Sequence, residues 1–287
     1  MDFVNKKILW VSDFDIENAP GGAQRSDKLI IDQGRILGLN IKKVNHKTLS
    51  SVDSINNYDL IISSNVTVIL RTYPEFIDNI FNHKNHVRIE HDSNQHVTKE
   101  ERLKLFGNCR KAFFLSEYHY SFFEELYGKI FKNVVINYDP IDTKIFKNHN
   151  KSRKDKILYA GYMHEQKGTD FFFEYVLTNP DKEFAVAGFT SNKIYDVISK
   201  HIPNIDFLGH VPYEEMHSIY NDYESIFYNP IVREPFCRCI AEAALCGMKI
   251  LTASPEKIGC LKEIEKYGIE DFGDKCNNAS KDFWQKV

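Results

Sequence analysis

The sequence predicts an α/β fold with two parallel sheets, and three observations support this. Short apolar runs alternate with longer segments of helical period, which is typical of βα units. The length of 287 residues suits two domains of roughly 140 residues each. The alternation starts again after a polar stretch rich in Lys and Asn, Phe146–Asp155, which is typical of a linker. We therefore expect two Rossmann-like domains, residues 1–145 and 146–287.

In the first half, short apolar runs predict the strands. They are Lys7–Ser12, Ile41–Asn45, Asp59–Ser63, His86–Glu90, Ala112–Ser116 and Asn133–Ile136. The clearest helices are Gly22–Leu37 and Glu117–Tyr127. Ser116 directly precedes the second of these helices and is a typical N-cap, so we assign it no chemistry.

The second half repeats the same alternation. Its expected strands are Lys156–Ala160, Glu183–Ala187, Ile205–Leu208, Ser225–Tyr228 and Lys249–Ala253. Its expected helices are Gly168–Leu177, Ile194–His201, Tyr213–Tyr220, Phe236–Leu245 and Glu256–Tyr267, followed by a short last helix at Lys281–Lys286.

Composition excludes some classes of function. A formal charge of −3 and a pI near 6.4 give no overall attraction to nucleic acid or to anionic membranes. The six cysteines lack Cys-x-x-Cys spacing, so we expect no structural zinc site and a reducing, cytoplasmic compartment. The N-terminus has no signal-peptide pattern, and no apolar run reaches the length of a membrane span. Peripheral contact with a membrane stays open.

The stretch from Arg233 to Gly247 carries the most chemistry. Seven residues separate two carboxylates, Glu234 and Glu242. An apolar, Ala-rich helical segment follows Glu234, and Gly247 ends it. Because Pro235 suits the start of a helix, we expect the N–H groups of Phe236 and Cys237 near a helix N-terminus, where an anion such as a diphosphate is favoured. The strand before this stretch places it at the carboxyl end of a sheet, where open α/β sheets bind ligands.

This stretch resembles the E-x7-E motif of retaining glycosyltransferases with the two-Rossmann GT-B architecture, especially the family 4 group. Four further segments look like motifs of the same group in the same order: Pro20–Arg25, Asn137–Phe146, Tyr159–Gly168 and Phe207–Val211. The resemblance implies two Rossmann-like domains facing a cleft. The N-terminal domain would lie on the acceptor side, and the C-terminal domain would bind a nucleotide-sugar donor.

The resemblance also implies roles for individual residues. A nucleotide-sugar donor leaves as a nucleoside diphosphate, so the protein should place cations and N–H dipoles where charge grows. Lys167 is the expected cation, and the N–H groups of Gly21 and Gly22 are candidates to approach the phosphates. Glu234 is expected near the hydroxyls of the donor sugar, and Glu242 is expected to accept hydrogen bonds from the ribose. Gly209 belongs to the strand and loop that face the nucleotide base.

The chain departs from the group at two positions. Tyr162 stands where an Arg usually partners Lys167, and Cys237 replaces the usual Gly after Glu-Pro-Phe. Arg233 is our candidate to replace the missing Arg, since a guanidinium can hold a phosphate with two donors. Arg238 is expected one turn into the helix, facing solvent.

In the first domain, His91 ends a strand where the group places a His near the donor sugar, and Asp92 is a candidate to orient it or to meet the acceptor. Asp13 and Asp15 have the spacing of a metal-binding pair, but they lie in the opening loop, Asp13–Pro20, where the group places acceptor contacts. We therefore expect no metal and no cofactor beyond the donor itself. The resemblance implies retention of anomeric configuration by same-face attack, aided by the leaving phosphate.

The leading interpretation is a retaining, metal-independent glycosyltransferase that uses a donor linked to UDP or GDP. Its acceptor is not identified by the sequence, and glycans, lipid-linked molecules and small molecules are the candidates. Three alternatives stay open. The first is a glycosyltransferase that acts on modified bases in DNA, as some phage enzymes of this architecture do. The second is a non-catalytic nucleotide-sugar binding protein, motivated by the missing Arg. The third is a nucleotide-sugar epimerase, which would release nucleoside diphosphate without an acceptor.

Overall fold

A computed structural model describes residues 5–17, 19–92, 98, 100–101 and 109–287. The chain forms two compact units. Unit 1 comprises Met1–Pro140 and Lys275–Val287, and unit 2 comprises Ile141–Asp274. This division differs from the expected one at residue 145, and it groups the C-terminal residues with the first half of the chain.

Unit 1 is built on a six-stranded parallel sheet with the strand order β2-β1-β3-β4-β5-β6. The strands are β1 Lys7–Ser12, β2 Asn40–Val44, β3 Leu60–Ser64, β4 His86–Glu90, β5 Lys111–Phe114 and β6 Val134–Ile136. Strand β1 lies between β2 and β3, and Ile8, Leu9, Trp10 and Val11 are fully buried. An apolar run without alternation is what a parallel strand covered on both faces requires.

In the first half, the helices whose full bounds lie within the described residues are α1 Gly22–Ile36, α2 Thr67–Thr72, α3 Pro74–Phe81 and α4 Glu117–Tyr127. As expected, the hydroxyl of Ser116 caps α4 by accepting from the His119 N–H at 2.9 Å. The sequence did not predict α2 or α3. Helix α2 has only six residues, and its first N–H groups are bonded by Asp13, which is distant in sequence.

Unit 2 has a five-stranded parallel sheet with the order β11-β10-β7-β8-β9. Its strands are β7 Lys154–Tyr162, β8 Phe184–Phe189, β9 Ile205–Gly209, β10 Tyr223–Phe227 and β11 Lys249–Leu251. Its helices are α5 Thr169–Thr178, α6 Lys193–His201, α7 Tyr213–Asp222, α8 Arg238–Leu245 and α9 Gly259–Tyr267. Strands β7 and β10 are direct neighbours, so the segments after their carboxyl ends lie side by side.

The last helix, α10, covers Ile269–Lys286, so the expected short helix at Lys281–Lys286 was wrong. Its C-terminal part anchors in unit 1, where the Trp284 indole N–H donates to the Ile30 carbonyl at 2.7 Å. The Phe283 and Trp284 rings also pack against Trp10. The sequence did not predict the first part of this helix, because the residues before Lys281 are mostly polar and only one face of the helix is apolar. Within the described ranges, no helix combines the length and hydropathy that crossing a membrane requires.

Candidate functional site

Lys167 is positioned by the turn that follows β7. A 3-10 turn covers Glu165–Lys167, and Gly168 ends it with a φ of +77°. A Cβ at Gly168 would lie 1.9 Å from the Asn229 carbonyl oxygen, so only glycine lets this turn pack against the segment after β10. The Ile231 N–H also donates to the Gln166 carbonyl at 3.0 Å. The two segments therefore hold each other in place.

This packing brings Lys167 to Glu234. The Lys167 Nζ lies 2.7 Å from the Glu234 Oε1, and the Tyr228 hydroxyl donates to the same oxygen at 3.0 Å. Glu234 is 7% exposed, whereas the Lys167 side chain is 42% exposed. Burial would lower the pKa of Lys167, but the charge and hydrogen bond of Glu234 outweigh it and raise that pKa. Lys167 therefore remains a cation, and its outer part reaches solvent.

The backbone fixes Glu234 independently of its side chain. The Glu234 N–H donates to the Lys257 carbonyl at 2.8 Å, and the Gly259 N–H donates to the Glu234 carbonyl at 3.0 Å. Glu234 forms an isolated parallel bridge with Ile258. The carboxylate thus sits on extended backbone just before α8, not on the helix.

Helix α8 begins at Arg238, two residues later than expected. Cys237 has a φ of +70° and serves as the N-cap residue, and its carbonyl accepts from Ile240 and Ala241. Phe236 is buried and stacks on Phe272 at 5.7 Å. Phe236 and Cys237 thus lie before the helix, and the expectation that they form its first turn was wrong. Cys237, with its left-handed backbone, thus separates helix α8 from the segment in which Glu234 bridges to Ile258.

Glu242 lies on α8 and is 3% exposed. Its Oε1 accepts from the Tyr213 hydroxyl at 2.8 Å and from the Arg238 Nε at 2.9 Å. The Arg238 side chain is 8% exposed, so the expectation that it faces solvent was wrong. Arg238 is the first helical residue, and its partner Glu242 lies four positions later on the same helix face.

The other predicted residues of unit 2 lie near strand ends. Tyr162 ends β7, its side chain is exposed, and its hydroxyl lies 2.6 Å from the Ser191 Oγ. Gly209 ends β9 with a φ of +69°. Arg233 is half-buried and directly precedes Glu234. The Tyr162 hydroxyl therefore pairs with a residue that follows the neighbouring strand β8. A tyrosine also lacks the positive charge that an Arg would bring to this position.

In unit 1, His91 is buried at the end of β4, and its Nε2 lies 3.1 Å from the Asp27 Oδ1. The Ser64 hydroxyl donates to the same Asp27 oxygen at 2.8 Å. Burial would lower the pKa of His91, but the hydrogen bond and charge of Asp27, with the charges of Asp139 and Asp92, raise it overall. Asp27, which sequence reasoning missed, is thus the group that orients His91.

The opening loop of unit 1 is tied to the protein. Both carboxylate oxygens of Asp13 accept from the start of α2, at 2.8 and 2.9 Å. Asp15 pairs with Lys43 at 2.9 Å and also accepts from Asn45. The Gly21 N–H donates to the Ala19 carbonyl at 2.8 Å, and Gly22 is the first residue of α1. In this conformation the Gly21 N–H is therefore not directed at a ligand.

Sequence reasoning also missed Tyr213 and Tyr228, each of which donates a hydrogen bond to one glutamate of the E-x7-E pair. Tyr228 follows β10 and Tyr213 opens α7. A polar aromatic residue at a strand end or a helix start is common, so its type alone gave no signal. The path of the segment between Tyr228 and Glu234 creates the first contact, and the packing of α7 against α8 creates the second.

Several glycosyltransferase structures resemble the chain. HepE from Anabaena, in complex with UDP and glucose, is 15% identical with a TM-score of 0.68, covering 98% of this chain and 95% of that one. Sucrose-phosphate synthase from Thermosynechococcus elongatus is 12% identical with a TM-score of 0.66, covering 96% and 94%. An alpha-glucosyltransferase in complex with UDP and a 13-mer DNA is 13% identical with a TM-score of 0.61, covering 98% and 92%.

At these identities the likeness establishes the fold, and it confirms the expected α/β architecture with two parallel sheets, which matches GT-B glycosyltransferases. No curated protein matches the chain by sequence. The family model of glycosyl transferases group 1 matches residues 154–272. This segment begins with β7 and contains Lys167, Glu234 and Glu242. Unit 2 is therefore similar to the glycosyl transferases group 1 family over the stretch that carries the charged site.

Proposed function

We propose that this chain is a retaining glycosyltransferase that moves a sugar from a nucleotide-diphosphate sugar to an acceptor, with the donor bound by unit 2. One observation carries the proposal. Lys167 and Glu234 follow the carboxyl ends of two adjacent parallel strands, which is where open α/β sheets bind ligands. The segment that contains them matches the glycosyl transferases group 1 model.

The geometry supports a division of roles. Lys167 is the half-exposed cation of the pair and suits the departing diphosphate, where charge grows in the transition state. The Glu234 carboxyl group accepts a hydrogen bond from Tyr228, and its oxygens suit the hydroxyls of the donor sugar. Glu242 suits the vicinal hydroxyls of the ribose. Gly209 lies at the strand end proposed to face the base, and Arg233 is proposed as a second cation for the diphosphate.

We propose UDP- or GDP-linked sugars as donors. The solved structures of HepE contain UDP, UDP with glucose, and UDP-glucose, which favours a uridine nucleotide as the first probe. His91, held by Asp27, stays our candidate in unit 1 for a group that acts on the donor sugar. We propose same-face attack with retention, without a metal, because Lys167 supplies the positive charge. A cytoplasmic setting is proposed from the six cysteines, which form no disulfide within the described residues.

The test is a thermal-shift screen with UDP-, GDP-, ADP- and CMP-sugars, followed by product analysis. A donor at 100 times its dissociation constant should stabilise the protein by about 2.7 kcal/mol. Sugar transfer to an acceptor with release of nucleoside diphosphate would support the proposal. Donor binding without turnover would support a non-catalytic binding protein, and release of nucleotide without an acceptor would support an epimerase.

A modified base in DNA is a second candidate acceptor, because one structural relative was solved with UDP and DNA. The formal charge of −3 gives no general attraction to DNA, so binding would have to depend on a local basic surface. Titration of labelled duplex DNA between roughly 50 and 200 mM salt distinguishes the candidates. Binding through phosphates should weaken steeply with salt over that range, whereas a glycan or small-molecule acceptor predicts no such binding.

A further inference from the structure

Glu242 is held by a closed triangle of polar groups. Its Oε1 accepts from the Tyr213 hydroxyl at 2.8 Å and from the Arg238 Nε at 2.9 Å. The Arg238 Nη2 donates to the Tyr213 hydroxyl oxygen at 3.2 Å. The Arg238 guanidinium also lies over the Tyr213 ring, 5.7 Å from its centroid. Each of the three side chains therefore contacts both of the others.

Tyr213 supplies a contact to Glu242 from another element, α7. Arg238 and Glu242 are four residues apart on the same helix, so their pairing fixes the carboxylate only relative to α8. Tyr213 is the first residue of α7, and its ring packs against Phe146 at 5.4 Å. The Tyr213 hydroxyl thus links Glu242 to the start of α7, four residues after the end of β9 at Gly209.

The Arg238–Glu242 pair is buried, so each of its polar groups needs a hydrogen-bond partner. The side chains of Arg238 and Glu242 are 8% and 3% exposed, and a buried ion pair is tolerated only when hydrogen bonds satisfy its remaining groups. Loss of the Tyr213 hydroxyl would leave the pair intact but remove the contact that sets the direction of the carboxylate. A carboxylate recognises a vicinal diol only when its oxygens face both hydroxyls.

We propose that Tyr213 is a positioning residue that aims the Glu242 carboxylate and thereby makes the donor site select ribonucleotides over 2′-deoxyribonucleotides. This inference rests on the proposed function, because it assumes that Glu242 meets the ribose. It assigns a new residue to that site. Tyr213 acts through Glu242 and makes no contact with the sugar being transferred.

The experiment compares dissociation constants of UDP and 2′-deoxy-UDP by calorimetry, with GDP and 2′-deoxy-GDP as the second pair of probes. In the wild type the ribonucleotide should bind about 10-fold more tightly, as expected for a hydrogen bond to a charged group. Tyr213→Phe should reduce this ratio to about 2 or less, and Glu242→Gln should do the same. Binding of the 2′-deoxy nucleotide should change less than binding of the ribonucleotide in either variant, because it offers the carboxylate one hydroxyl instead of two.

Tyr195→Phe is the matched control, because Tyr195 also donates to a carboxylate in unit 2, that of Asp170 at 2.7 Å. It should keep the wild-type ratio, even if it lowers the melting temperature. A Tyr213→Phe variant that loses thermal stability but keeps the ratio would overturn the inference and leave the proposed function intact. A wild type that binds both nucleotides equally would overturn the ribose role of Glu242, and one that binds neither pair would overturn the proposed function itself.

Discussion

At the scale of single residues, Lys167 is a cation that forms an ion pair with Glu234. Glu234 raises its pKa, so Lys167 stays protonated across the pH range of any enzyme assay. A bound diphosphate would compete with Glu234 for the same ammonium group. The departing diphosphate carries more charge in the transition state than in the bound donor, so the cations that meet it should affect turnover more than donor affinity.

Lys167→Ala and Arg233→Ala should each lower the turnover number at saturating donor by on the order of 10²-fold, if each supplies a contact of oxyanion-hole strength. Lys262→Ala is the control, because that lysine forms an exposed pair with Glu265, and it should match the wild type. Arg238→Ala does not suit this purpose, since Arg238 holds Glu242. A wild-type rate for Arg233→Ala would assign the diphosphate to Lys167 alone.

His91 and His119 should have opposite effects on how the free energy of unfolding depends on pH. The folded pKa of His91 is raised, so its contribution is complete below the unfolded value of about 6.5 and is lost as pH rises through the folded pKa. Burial lowers the pKa of His119 to about 4, so the folded protein holds this histidine in its neutral form. The folded protein therefore loses stability as pH falls from about 6.5 towards 4, because the unfolded chain binds a proton there and the folded one does not.

Chemical denaturation from roughly pH 5 to pH 8.5, a range that spans the unfolded pKa of histidine, checks this difference. The free energy that His91→Gln loses relative to the wild type should shrink as pH rises above about 6.5. The corresponding difference for His119→Gln should shrink as pH falls below about 6.5. A constant difference for His91→Gln across the range would show that His91 is not preferentially protonated in the folded protein.

At the scale of elements, the turn after β7 depends on Gly168. Gly168 has a φ of +77°, so any side chain at this position would strain the backbone. A Cβ would also lie 1.9 Å from the Asn229 carbonyl oxygen and clash with it. Gly38 has a similar φ of +79° but open space around it. Gly38→Ala should therefore destabilise by about 1–2 kcal/mol through backbone strain alone.

Gly168→Ala should cost roughly 1–3 kcal/mol more than Gly38→Ala, because the Asn229 backbone must also move. It should weaken donor binding as well, since the same turn holds Lys167 beside Glu234. Urea unfolding and calorimetry with UDP measure the two effects. Equal destabilisation by the two substitutions would mean that the contact between the two segments relaxes without cost.

The sequence predicted most elements because local signals agree with the tertiary structure. Strands β1 and β4 and helix α4 were predicted at the bounds they have, since apolar runs and the Ser116 cap are local features. Helix α8 begins at Arg238 because Cys237 is left-handed, and no local rule places a cysteine there. The partners of the two glutamates, Tyr228 and Tyr213, come from other elements, so sequence spacing carried no information about them.

At the scale of the whole molecule, we propose that the positive charge offered to a donor diphosphate comes from the chain itself. Lys167 and Arg233 are the residues proposed to supply it in unit 2. In unit 1, Asp13 caps α2 and Asp15 pairs with Lys43, so both carboxylates already have protein partners. Within the described parts of the chain, no cluster of three or more His, Cys, Asp and Glu side chains is arranged to hold a metal ion.

We therefore expect transfer activity to persist in excess EDTA, because no step of the proposed reaction relies on a divalent ion. Initial rates with and without EDTA, and after addition of magnesium or manganese, measure this. Asp15→Asn provides the internal check, since Asp15 is the aspartate of the pair that does not cap a helix. If EDTA abolishes activity, if manganese restores it in the wild type, and if Asp15→Asn prevents that rescue, then Asp13 and Asp15 form a metal site. The ion pair with Lys43 would then have to open when the metal binds.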